Sequence, residues 1–182
     1  MKLMDTPAGF DEPLAALSAC HRRIEKQMAT LARLQVHVTH SGVDDDARIA
    51  ASSILRYFVE AAQHHHADEE IDLFPKILRA AEDVADRAHA FELVSHLLVE
   101  HRELEAAWEL LRTALEALLA GKNAELNSQF CNEFTRLYSA HIEREECDLL
   151  PLAARLLPQA DLVSLGNAMA ARRGLAPPVF AT

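Results

Sequence analysis

His65-His66-Ala67-Asp68-Glu69-Glu70-Ile71-Asp72-Leu73-Phe74-Pro75 lies without a gap over His141-Ile142-Glu143-Arg144-Glu145-Glu146-Cys147-Asp148-Leu149-Leu150-Pro151. The leading histidine, both glutamates, the later aspartate, a leucine and the proline coincide. Upstream of each copy, His21-Arg22-Arg23-Ile24-Glu25 matches His101-Arg102-Glu103-Leu104-Glu105. The first half of the chain therefore reads as one helical hairpin and the second half as its copy, which implies a bundle with approximate two-fold symmetry.

Breakers outline the same plan. The chain has 5 Gly and 7 Pro, and neither residue occurs between Gly42 and Pro75, between Pro75 and Gly121, or between Gly121 and Pro151. Long stretches without them are what helices need. Helices are expected from about Pro13 to His40, from Asp44-Asp45-Asp46 to an interruption at Pro75, from Ala85 to Ala120, and from Ala124 to a break at Pro151. A shorter helix should run from Asp161 to Arg173 and stop at Gly174. Strand signals are nearly absent.

Apolar spacing then picks the inward faces. Leu14, Leu17, His21, Ile24, Met28 and Leu31 alternate steps of three and four, and so do Val94, Leu97, His101, Leu104, Trp108, Leu111, Leu115 and Leu118. The second helix offers Ile54, Phe58, Ala62, His65, Glu69 and Leu73; the fourth offers Phe130, Phe134, Leu137, His141, Glu145 and Leu149. Every long helix thus directs a histidine inward, and two direct a carboxylate as well. Residues four apart on a helix differ by about 40° in direction and about 6 Å in height, so His65 with Glu69, and His141 with Glu145, each aim a nitrogen and a carboxylate at one point. With His21 and His101 the set is four imidazoles and two carboxylates. Burying such carboxylates among leucines without compensation is costly or forces them to protonate. A pair of first-row metal ions removes the conflict, since imidazole suits iron and carboxylates bridge two ions.

These residues resemble the hemerythrin-like domains, also called HHE cation-binding domains, over about residues 13–157, most specifically in His-x-x-x-Glu-Glu-x-x-Leu-Phe-Pro at His65 to Pro75. The resemblance implies an all-α, up-and-down four-helix bundle holding a non-haem diiron centre, here one domain over 1–182 with the short helix at 161–173 added to the core. It implies His65 and Glu69, then His141 and Glu145, as histidine and bridging carboxylate of two metal-binding pairs, with His21 and His101 as the lone histidines of the first and third helices. In the respiratory hemerythrins the third helix carries a further histidine four positions earlier, where this chain has Leu97. The Cys-rich N-terminal extension of the iron-centre repair proteins has no counterpart here.

Around this set stand other polar residues. His64 and His66 flank His65 at about 100° to either side and read as surface or supporting histidines. Alignment of Pro75 with Pro151 selects the register, because His66 would pair as well with Glu70. Glu25 and Glu105 lie beside their seams and read as acceptors behind the ligands or as solvated charges. His37 and His40 sit near the end of the first helix, where its dipole favours a histidine. His96 points about 140° away from His101, and His89 reads as surface. Cys20, Cys131 and Cys147 read as small core residues, Trp108 as core, and Arg172-Arg173 as cations at a helix C-terminus.

Composition excludes other classes. Of 182 residues, 50% are hydrophobic, 28 are acidic and 18 are Lys or Arg, a net charge of −10 that repels nucleic acid. Met1-Lys2-Leu3-Met4-Asp5-Thr6-Pro7 lacks an apolar core followed by a small-residue cleavage site, so no export signal is expected; no apolar run is long enough for a bilayer, and 3 Cys in such a chain fit a reducing cytoplasm. The expectation is a cytoplasmic diiron protein that binds or senses a small diatomic, O₂ or NO, or serves in iron or redox stress. The alternative is a redox enzyme on the same centre, peroxidase- or ferroxidase-like; a metal-free helical interaction module is the third reading. Ferritin-type ferroxidase sites use Glu-x-x-His, whereas this chain has His-x-x-x-Glu, which counts against iron storage. No protein partner is indicated.

Overall fold

Proline at its head and glycine at its foot delimit the first helix. In the computed structural model, which describes residues 9–121 and 126–180, α1 (Pro13–Ser41) starts on a proline whose fixed φ suits a first turn. It ends where Gly42, at φ 77°, donates its N–H to the Val38 carbonyl at 3.0 Å. Glycine takes that left-handed backbone without a Cβ penalty. Asp44 caps α2 (Asp45–Tyr57) by accepting the Ala47 N–H at 2.9 Å. The stretch Met1–Pro7 and the expected helix start at Ala124 lie outside the described residues.

From α2 the chain stays helical through a wide turn, π1 (Phe58–Ala62), then α3 (Gln63–Ala67), a second wide turn, π2 (Asp68–Leu73), and α4 (Phe74–Ala80). After α5 (Val84–Leu119) and α6 (Ser128–Arg144) the pattern returns as π3 (Glu145–Leu149) and α7 (Leu150–Leu156), followed by α8 (Gln159–Arg172). No strand occurs among the described residues, and no described helix is long and apolar enough to cross a membrane.

The expected interruptions at Pro75 and Pro151 do not occur, since the helices continue to Ala80 and Leu156. A proline inside a helix lacks an N–H, and its ring meets the carbonyl four residues back. Here each proline stands two residues after the end of a π turn, which closes with the Phe74 N–H on the Glu69 carbonyl and the Leu150 N–H on the Glu145 carbonyl, five residues back. A turn already widened by one residue absorbs the missing bond and relieves the ring.

The chain divides into two compact units. One comprises Arg23–Gln63 and Leu97–Glu143. Its interior is built from Ile24, Met28, Leu31 and Leu34 of α1, Ile54 of α2, and Leu104, Leu111, Leu115 and Leu118 of α5, all buried. Burial of each such side chain stabilises the fold by roughly 1.5–3 kcal/mol. An aromatic group completes it, with Phe58 ring centroids 5.0 Å from Trp108 and 5.1 Å from Phe134, and Phe134 5.0 Å from Tyr138. The expected α6 seam is corrected here: Phe130 is 41% exposed and Leu137 half-buried, while Cys131 and Tyr138 are buried beside Phe134 and His141. Both sets alternate threes and fours through Phe134 and His141, so periodicity alone does not choose between the two flanks of one stripe.

The other unit comprises Met1–Arg22, His64–His96 and Arg144–Thr182. Leu73, Phe74 and Ile77 are buried there, as are Leu149, Leu152, Ala153, Leu165 and Met169. At Gly166 of α8 the backbone of Phe10 approaches so closely that a Cβ would lie 2.0 Å from the Phe10 carbonyl oxygen. Arg155 of α7 grips Asp86 of α5 at 2.5 and 2.7 Å, and Arg79 of α4 reaches Asp161 of α8 at 2.9 Å.

Candidate metal centre

Six of the seven buried polar or charged residues among those described are the six expected ligands: His21, His65, Glu69, His101, His141 and Glu145, none more than 1% exposed. The seventh is Asp68, at 0%.

Four of the six converge within the unit that holds α8. His21 comes from α1, His65 from α3, Glu69 from π2 and Glu145 from π3. One nitrogen or oxygen from each can be chosen so that all lie within 4.8 Å of one another. The Nε2 atoms of His21 and His65 face each other at 3.1 Å. His21 Nε2 is 2.9 Å from Glu145 Oε2, and His65 Nε2 is 3.4 Å from Glu69 Oε1 and 3.8 Å from Glu145 Oε2. Two imidazole nitrogens and two fully buried carboxylates around one point form a donor set that suits a first-row divalent ion.

Electrostatics at these residues point the same way. Burial works against charge on His21, yet its hydrogen bond with Glu145 and the negative potential of Glu145 and Glu69 prevail, and its pKa is raised. Burial likewise opposes charge on His65, but Glu69, Cys20 and Glu145 hold its pKa well above the ordinary histidine value. Without a metal, protons on these imidazoles compensate the carboxylates.

His21 is also oriented from behind, because its Nδ1–H donates to Glu146 Oε1 at 2.5 Å and thereby turns Nε2 toward the other donors. Metal-ligating histidines characteristically donate their second ring N–H to a carboxylate in this way. The other unit repeats the device. His141 Nδ1–H donates to Glu100 Oε2 at 3.0 Å, and the His141 and His101 rings stand edge to face with centroids 4.8 Å apart.

The supporting acceptors are thus Glu146 and Glu100 rather than Glu25 and Glu105, which are exposed; Glu105 pairs with Arg102 at 3.4 Å. Each supporting glutamate sits beside a ligand candidate in sequence, a signal that becomes legible only once the partner helix is placed. His37 bonds Asp44 at 2.9 Å, His40 bonds the Val36 carbonyl at 2.8 Å, and His96 and His89 are exposed. His64 and His66 are half-buried. Cys20 and Cys131 are buried as expected, whereas Cys147, expected in the core, is exposed. Burial pushes the Cys131 thiol up to about 11, where it is an inert core residue.

A helical chain with a buried cluster of imidazoles and carboxylates is, by class, a metal-binding protein. It belongs to the hemerythrin HHE cation-binding domain family, whose model matches residues 12–153. An uncharacterized protein of Haemophilus influenzae is 28% identical to it over 166 residues, covering 91% of this chain and 92% of that protein.

Proposed function

We propose that the protein is a non-haem diiron protein that binds or senses a small diatomic, O₂ or NO. Residues 1–182 then form one hemerythrin-like domain of up-and-down four-helix design, with α8 as an addition to it. In this reading His21, His65, Glu69, His101, His141 and Glu145 hold two iron ions, with Glu69 and Glu145 as the carboxylates shared between them. The observation that carries it is the meeting of His21, His65, Glu69 and Glu145 around one buried point. The repeat supports the rest, because it pairs His141 with Glu145 as His65 is paired with Glu69.

When bound, the irons supply redox-active positions at which an exogenous diatomic ligand is taken up. The chain's own part is to present neutral Nε2 atoms, to fix the His21 and His141 rings through Glu146 and Glu100, and to exclude water with the surrounding apolar side chains. Leu97, one helical turn before His101 and 0% exposed, supplies apolar surface where the respiratory carriers supply an imidazole. Fewer neutral donors leave room for an outside ligand and favour the oxidised state, which fits sensing better than reversible carriage. A cytoplasmic setting belongs to this reading, with the three cysteines taken as thiols of a reducing compartment.

Metal analysis of protein purified without chelator, with absorption spectra before and after O₂, NO or peroxide, tests the proposal. About two irons per chain and a reduced form that binds NO readily are expected. A long-lived oxygenated form that releases O₂ under vacuum over repeated cycles would mark a carrier instead. Sustained turnover of peroxide or Fe²⁺ would mark the redox enzyme.

A further inference from the structure

Asp68 is fully buried, directly precedes Glu69, and is held from outside the family-matched segment. Both of its carboxylate oxygens are engaged from the C-terminal end of α8, by Arg172 and the residue that follows the helix, Arg173; α8 begins at Gln159, whereas the family match ends at residue 153. Arg173 forks onto Asp68 with Nη2 2.7 Å from Oδ2 and Nη1 3.2 Å from Oδ1. Arg172 bonds Asp68 Oδ1 through Nη1 and Asp72 Oδ2 through Nη2, the latter at 2.6 Å. Asp68 and Asp72 lie near opposite ends of π2, so one guanidinium staples the wide turn along its length while the other closes on its first residue. The staple is itself anchored: the Arg173 guanidinium lies 5.0 Å from the Phe10 ring centroid, and Nη1 also donates to the Met169 carbonyl at 2.9 Å.

A π turn has poorer local energetics than the α-helix around it and persists where tertiary contacts hold it. Glu69 rides on this one. Rotation of π2 that swung the Glu69 carboxylate away from His65 would break the Arg172 bridge and expose or orphan the buried Asp68 charge, which is strongly unfavourable. The same bonds keep Asp68 from offering its own oxygens to a cation in place of its neighbour. The second copy lacks the device, since the residue before Glu145 is Arg144 and the counterpart of Asp72 is the exposed Asp148.

We propose that Arg172 and Arg173, at the C-terminal end of α8, are positioning residues for the metal centre, holding π2 in the form that presents Glu69 to the metal. The inference rests on the metal-binding reading above and adds to it a determinant of affinity outside the family-matched residues 12–153.

The test is titration of metal-free protein with Co²⁺, followed by its visible ligand-field bands, with circular dichroism and thermal unfolding of each metal-free form alongside. R172A/R173A should remain helical and bind the first Co²⁺ about 10- to 100-fold more weakly, the range typical for groups that orient ligands, with altered bands. R172K/R173K keeps the charges but loses the planar forks, and should recover only part of the affinity. R155A breaks the Arg155–Asp86 pair in the same unit, away from π2, and should titrate like the wild type. Superimposed titrations for wild type and R172A/R173A would overturn the proposal, as would an equal loss in R155A, because the effect would then be general loosening. Should R172A/R173A fail to fold, R172K/R173K decides: wild-type affinity and bands overturn the proposal, and weakened binding with altered bands upholds it. Wild-type protein that bound no Co²⁺ would instead remove the metal-binding reading, a failure separate from any difference among the variants.

Discussion

The two copies of the repeat share a backbone and differ in their surroundings. His65 to Pro75 and His141 to Pro151 each pass from α-helix into a π turn that begins just before or at the glutamate and ends two residues before the proline. The first copy lies wholly within the unit that includes α8, with Asp68 buried under Arg172 and Arg173. The second is divided between the units, His141 lying with the aromatic core and Glu145 with the α8 unit. Like sequences thus make like local structure, while the packing of each copy decides how firmly its glutamate is held.

The comparison is broken most directly by removing the shared residues. Glu69→Ala and Glu145→Ala should each abolish most bound iron, measured by metal analysis, and His65→Ala should do the same. His64→Ala and Glu70→Ala should largely retain iron; the reverse pattern would show that the first copy is registered one residue off. Glu145→Ala should be the more damaging of the two glutamate variants, because Glu145 also meets His21 at 2.9 Å.

Chelation acts on both copies together. An ion that binds only the folded state adds about 4 kcal/mol when present at about a thousand times its dissociation constant. Metal-free protein should therefore melt well below the loaded form in calorimetry, and equal melting temperatures would show that the ion is not coupled to folding.

Smaller effects separate the supports of the histidines. Glu146→Gln and Glu100→Gln preserve shape but remove the charge behind His21 and His141. Each should weaken metal binding about 10- to 100-fold, or about 1.4–2.8 kcal/mol. A loss in one variant alone would show that only one histidine depends on its carboxylate.

The mildest effect is that of pH on the metal-free protein. A histidine whose folded pKa exceeds its unfolded value stabilises the fold fully below about 6.5, and that contribution is lost as pH rises through the folded pKa. His21 and His65 both shift in this direction. Metal-free protein should accordingly lose thermal stability as pH rises above about 6.5, the reference histidine value, and the gain in melting temperature on adding metal should grow over the same interval, since the ion replaces protons. A metal-free melting temperature that rose with pH there would contradict the raised values.

The helices and the six buried ligand candidates were legible because both follow from local rules. Missing breakers, a Pro and Gly frame around α1, and seams of threes and fours need no knowledge of what lies opposite. The histidines stood out as polar residues in apolar seams, and the repeat chose His65 over His64 and His66. The choice of Cys131 and Tyr138 over Phe130 and Leu137 was not legible, since either flank satisfies the same period. Nor were the unbroken helices at Pro75 and Pro151, because a proline reads as a stop until a π turn is seen to accommodate it.

The sequence by itself determined an all-helical chain, its duplicated plan and which side chains are buried as ligand candidates, since these depend on periodicity and on interactions within a few residues. The tertiary structure alone decided that Glu146 stands behind His21, that Glu100 stands behind His141, and that Arg172 and Arg173 close over Asp68. Those contacts join residues 125, 41, 104 and 105 positions apart. A charged side chain carries no mark of its distant partner; its bond is set by which helix faces are brought together and by the cost of leaving a buried charge unmatched.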